Sequence, residues 1–212
     1  YPLFFTLLTT YACLTTVSSN NRPKAILESI STSVITPGLN KFSEKANSLH
    51  AASEQLCMLR TEATLSDAQE SWKNTKSAWR ELEPFYFGPH TAFPDRIGKL
   101  IDFWPVRENA IAELIESERS LEPTDFQNEG ALVRGVSAIE YVAFGPNKGD
   151  LLDENKPRVC LVLSAMTQDL KTLAAELASS WLDLPTPYIA SISDPSQGEF
   201  MSERGALSEL VN

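Results

Sequence analysis

Apolar residues recur every three or four positions along most of this chain. Phe42, Ala46, Leu49, Ser53, Leu56 and Arg60 follow that spacing, with Cys57 and Leu59 adjoining. Leu65, Ala68, Trp72, Thr75, Trp79 and Leu82 repeat it. So do Val159, Leu163, Met166, Leu170, Leu173 and Leu177, and Trp181 extends the stripe. This spacing gathers side chains on one face of a helix, and several such faces meet in a bundle core. No comparable stretch alternates strictly between apolar and polar, so strands are not expected. The pattern predicts an all-α protein built as an up-and-down helical bundle.

Helix breakers and caps divide the pattern. Pro37-Gly38 is expected to split the first helical stretch into pieces near 23–35 and 38–60. Ser66, followed by Asp67 and Gln69, has the form of a capping box at a helix start. Pro84, Gly88 and Pro89 end that helix after Glu83. Pro105 suits the first turn of a helix over 105–118. A helix over 130–144 stops at Gly145-Pro146, and a long one over 155–182 ends before Pro185 and Pro187. Residues 1–22 read as a signal- or lipoprotein-like segment and tether, and 23–187 as the bundle. Residues 188–212 read as the start of a second bundle or a disordered tail.

Composition narrows the function classes. The 212 residues are 42% hydrophobic and 22% charged, enough for a substantial core. The net charge is −10, and the cations form no dense run. Nucleic acid is therefore not the expected partner, because phosphate binding needs clustered cations. The apolar run Pro2 to Leu8 is too short to span a bilayer and has the character of the remainder of a secretory signal. Ala12-Cys13 reads either as a lipoprotein processing site, with lipid on Cys13, or as part of a simple cleaved signal. Both imply a periplasmic or cell-envelope protein, with membrane contact only through that lipid. Export permits a Cys57–Cys160 disulfide. Their helical positions favour two buried thiols instead.

Chemistry is sparse in the linear sequence. The two histidines, His50 and His90, form no paired motif, and no HExxH, nucleophile turn or phosphate loop occurs. No residue is assigned a catalytic part. Trp72, Lys76, Trp79 and Glu83 are spaced four, three and four apart, so they share a helical face. Two charged residues on an apolar face need a partner, a metal or water. The segment from Arg134 to Pro146 sets Glu140 among apolar neighbours, with Arg134, Ser137 and Glu140 at successive intervals of three, an expected approximate shared face. Gly135 would permit close approach of another helix or a ligand. The bland alternative is a polar helix–helix contact among Arg134, Glu140, and Glu83 or Lys76.

The ordered combination resembles the imelysin-like family of bacterial iron-regulated envelope proteins, also classed among peptidases. It consists of the Trp/Lys/Trp/Glu helix running into Phe87-Gly88-Pro89, then Trp104-Pro105, then Gly135-x-x-Ala138-Ile139-Glu140-Tyr141 ending in Phe144-Gly145. The resemblance covers residues 25–212 and implies a first helical bundle plus the opening of a second. Members typically carry Gly-x-His-x-x-Glu. Gly135 and Glu140 match, Ser137 stands at the histidine position, and Lys76 replaces an arginine common in the first motif. Together with the polar residues on apolar helical faces, the resemblance points to Lys76, Trp79, Arg134 and Ser137 as ligand-binding residues and to Glu83 and Glu140 as ligands, with water, of a hard cation. The implied cofactor is a divalent metal ion, iron or another. The implied partners are that ion or a small ligand, and envelope iron-uptake proteins. A serine hydroxyl is a poor ligand for first-row transition metals, which disfavours a metallopeptidase. Three readings stay open: a non-catalytic, iron-associated binding protein, a metallopeptidase, and a structural lipoprotein without metal.

Overall fold

The computed structural model describes residues 22–86, 88–91, 96–182 and 203–209. The N-terminal apolar run, Cys13, Phe87 and the segment 183–202 lie outside the described residues. Helix α1 (Arg22–Ile30) continues through a π-helical stretch, Ser31–Ile35, into α2 (Thr36–Leu59). Then come α3 (Glu62–Arg80), α4 (Ile97–Ile101), α5 (Glu108–Glu116), α6 (Pro123–Phe126), α7 (Gly135–Phe144), α8 (Pro157–Leu182) and α9 (Glu203–Glu209). Among the described residues there is no strand.

The three long stripes form the core. Phe42, Leu49 and Leu56 of α2, Leu65 and Trp79 of α3, and Leu163, Met166, Leu170 and Leu177 of α8 are all buried. Each such side chain contributes roughly 1.5–3 kcal/mol by leaving water. Side-chain contacts fix the helix directions. Thr75 Oγ1 donates to the Lys45 carbonyl at 3.0 Å, and Lys41 reaches Glu81 at 2.7 Å, so α2 and α3 run antiparallel. Cys57 lies beside Cys160, and His50 Nδ1 is 3.1 Å from Thr167 Oγ1, so α2 and α8 are antiparallel as well. The Thr167 hydroxyl is also within hydrogen-bond distance of the Leu163 carbonyl, at 3.0 Å, within its own helix. Partial burial pushes the His50 imidazole below its ordinary pKa, and nearby Glu54 offsets part of that.

Several local expectations change. Pro37 does not break the helix. The Thr36 N–H reaches back to the Ser31 carbonyl across the π-helical stretch, so Pro37 falls in the first turn of α2, where its missing N–H is tolerated. Ser66 lies inside α3, not at its start. Arg60 closes α2 in a left-handed conformation, and Thr61 and Thr64 form the capping box of α3. Pro105 does not open a helix either. It follows Trp104 through a cis peptide, and α5 begins at Glu108. Cys57 and Cys160 form a disulfide, with Cα atoms 5.4 Å apart, rather than remaining two thiols. The antiparallel packing sets the end of α2 beside the start of α8, a proximity that 103 residues of separation conceal in the sequence. The Ala206 side chain of α9 is buried in the same core, where α9 packs on α1.

Candidate functional site

Helix α3 carries the first motif into the bundle. Trp72 is largely buried, and its indole N–H donates to the Val136 carbonyl at 2.8 Å. That bond ties α3 to the start of α7. One turn on, the Lys76 ammonium lies 2.5 Å from Asp102 Oδ2. Both side chains are mostly shielded, at 16% and 17% exposure, so the attraction is screened less than at an open surface.

Asp102 sits at the C-cap of α4 in an extended conformation. Its second oxygen, Oδ1, accepts a hydrogen bond from Ser137 Oγ at 2.8 Å. Gly135 makes this approach feasible. It has a φ of +75°, and a Cβ there would press into the carbonyl oxygens of Leu100 and Ile101. Only a residue without a side chain lets α7 begin so close to the end of α4. Two residues later, Ser137 then faces Asp102. The Tyr86 ring covers Gly98 on the same side, where a Cβ would lie 2.6–2.8 Å from it. Burial raises the Tyr86 phenol above its ordinary pKa, and the negative charge of Asp102 adds to the effect.

The structure divides the residues that the sequence groups together. Arg134 precedes α7 as its N-cap and turns to α8, where Nε and Nη2 bind the Asp169 carboxylate at 2.9 and 2.6 Å. Its Nη1 donates to the Gln127 carbonyl at 2.7 Å. Arg134 is thus a buried strut, not a ligand contact. Ser137 turns to Asp102, and Glu140 faces solvent. An interval of six residues rotates a helix by roughly 120° from its starting direction, too far for one face. The expected polar contact among Arg134, Glu140, and Glu83 or Lys76 does not form, because Asp169 and Asp102 take the two cations. Trp79 is only 2% exposed and packs against Phe42, Tyr86 and His90, so it belongs to the core and offers no ligand surface.

Glu83 and Glu140 are both exposed and sit on different elements. Glu140 lines a groove of about 280 Å³ with Trp72, Lys73, Lys76, Ser77 and Arg80, and Glu83 is not part of that lining. Among the described residues no group of three or more His, Cys, Asp or Glu side chains could hold a metal. The described residues do not fit a bare metal ion: a cation already occupies one Asp102 oxygen, a hydroxyl proton the other, and Glu140 has no second carboxylate, His or Cys beside it among them. Sequence reasoning missed Asp102 and Asp169. For Asp102 the available signal was the one that singled out Glu140, a carboxylate within an apolar run, here Leu100-Ile101 before it and Phe103-Trp104 after it; Asp169, beside Thr167 and Gln168, carries no such signal.

A lysine, an aspartate and a serine brought together from three helices, beside a shallow groove, define an all-α bundle with a self-paired polar centre. The chain belongs to the imelysin family (peptidase family M75), whose model matches residues 35–212. The fold is also that of two solved structures. One is an imelysin-like protein from Psychrobacter arcticum 273-4, at 18% identity and a TM-score of 0.71, over 89% of this chain and 58% of that one. The other is a putative iron-regulated protein A precursor from Parabacteroides distasonis ATCC 8503, at 17% identity and a TM-score of 0.69, over 90% and 55%. The chain therefore spans a little over half the length of these two proteins. No protein of curated function matches it in sequence.

Proposed function

We propose that this chain is a non-catalytic binding protein of the cell envelope, associated with iron, in which the imelysin site has lost the means to hold a catalytic metal. The observation that carries this reading is the closed Lys76–Asp102–Ser137 set. A metallopeptidase must hold a metal that activates water. Here the position of the family's nitrogen ligand carries a hydroxyl, and that hydroxyl is spent on Asp102.

Export is supported by the signal-like N-terminus and by the Cys57–Cys160 disulfide, a bond that persists in oxidising compartments. No described helix is long and apolar enough to cross a membrane. The iron association draws on the printed name of the Parabacteroides protein. The peptidase alternative has the family designation in its favour and Ser137 against it. Incubation with casein, with and without EDTA, decides between them. The expected result is no cleavage in either tube. Cleavage by the pure chain that EDTA abolishes would overturn the proposal.

A further inference from the structure

We propose that the groove beside Glu140 binds a small hydroxycarboxylate, with the carboxylates against Lys73 and Arg80 and a hydroxyl donating to Glu140. The inference rests on the non-catalytic reading above and names the ligand class of that same site.

The charge pattern is the starting point. The protein carries a net charge of −10, yet this groove is lined by three cations, Lys73, Lys76 and Arg80, and one carboxylate, Glu140. Lys76 is neutralised by Asp102. Among the described residues Lys73 pairs with Glu70 alone, at 3.2 Å between two well-exposed side chains, a pair that contributes little and is readily exchanged. Arg80 is exposed, with no ion pair among the described residues to occupy it. Lys73 and Arg80 lie seven residues apart on α3, two turns along one face, so they flank the groove about 10 Å from each other along the axis. That span matches a molecule with more than one carboxylate better than a single small ion.

Glu140 adds selectivity. As an ionised carboxylate it only accepts hydrogen bonds, so it repels an anion that has nothing to donate and favours one that carries a hydroxyl. Trp72 also lines the groove, and its indole N–H is engaged with the Val136 carbonyl, so its ring offers a ligand apolar surface alone.

The test is calorimetric titration of the full metal-free chain with citrate, with tricarballylate, which has the same carboxylates but no hydroxyl, and with inorganic phosphate. Citrate is expected to bind, and tricarballylate and phosphate to bind about tenfold or more weakly, as expected for loss of a hydrogen bond to a charged group. Arg80→Ala and Lys73→Ala, both at exposed positions, should each weaken citrate by about tenfold. Glu140→Ala, which leaves no acceptor for the hydroxyl, should erase the preference for citrate over tricarballylate. No citrate binding, or citrate binding that Arg80→Ala and Lys73→Ala leave unchanged, would overturn the proposal. Equal affinity for citrate and tricarballylate in the unmodified chain would do the same. The titration contains neither metal nor peptide, so it reads the groove alone. EDTA-sensitive casein cleavage would instead count against the non-catalytic reading.

Discussion

Arg134→Ala is expected to lower the unfolding free energy by about 3–5 kcal/mol, the cost of removing one partner from a buried ion pair. Arg134 and Asp169 have side-chain exposures of 5% and 8%, and two nitrogens of the guanidinium engage both carboxylate oxygens. Alanine would strand the Asp169 charge in the bundle and leave the Gln127 carbonyl without its donor. Urea denaturation should show a large fall in midpoint with little change in slope. The pH dependence has a definite sign. Burial raises the Asp169 carboxyl, and Arg134 opposes that rise. Without Arg134 the folded chain binds the Asp169 proton at higher pH than the unfolded chain does. Stability then falls as pH rises through that range, so the deficit of Arg134→Ala should be largest near neutrality and shrink in acid. A midpoint within experimental error of the unmodified chain would mean that the pair contributes no net stability.

Reduction of Cys57–Cys160 is the second large expected effect. The bond closes a loop of 103 residues that contains α3 to α7. Chain-entropy reasoning for a loop of that size gives about 4–5 kcal/mol of stability, and measured native disulfides typically give about 2–5. The double variant Cys57→Ser with Cys160→Ser should match the reduced protein. Its urea midpoint should fall well below that of the oxidised chain, and dithiothreitol should not lower it further. If the oxidised chain and the double variant unfold at the same urea concentration, the clamp between α2 and α8 has no energetic weight.

The bundle was legible because its stripes are long and regular. Leu39 to Leu56, Leu65 to Leu82 and Val159 to Trp181 are buried where three-four spacing places them. The site was less legible. Lys76 and Ser137 were visible, but the residue that joins them, Asp102, sits at the end of a five-residue helix too short to show periodicity. Glu140 misled for a related reason. Helix α7 is enclosed by α3, α4 and α8, so Gly135 to Ile139, Val142 and Ala143 are buried around most of its circumference. A single solvent-facing position in such a helix sits among apolar neighbours in sequence while pointing away from them in space. The π-helical stretch before Pro37 and the pairing of the two cysteines depend on contacts that no local pattern encodes.

Those findings converge on the centre of the site, where Lys76 stands on one oxygen of Asp102 and Ser137 donates to the other. Equilibrium dialysis of the full chain against iron(II) and zinc, followed by elemental analysis, tests this most directly. The expected result is no stoichiometric metal retained by the unmodified chain, and no difference between it and Glu140→Ala. Stoichiometric retention of either ion by the unmodified chain, lost in Glu140→Ala, would contradict it.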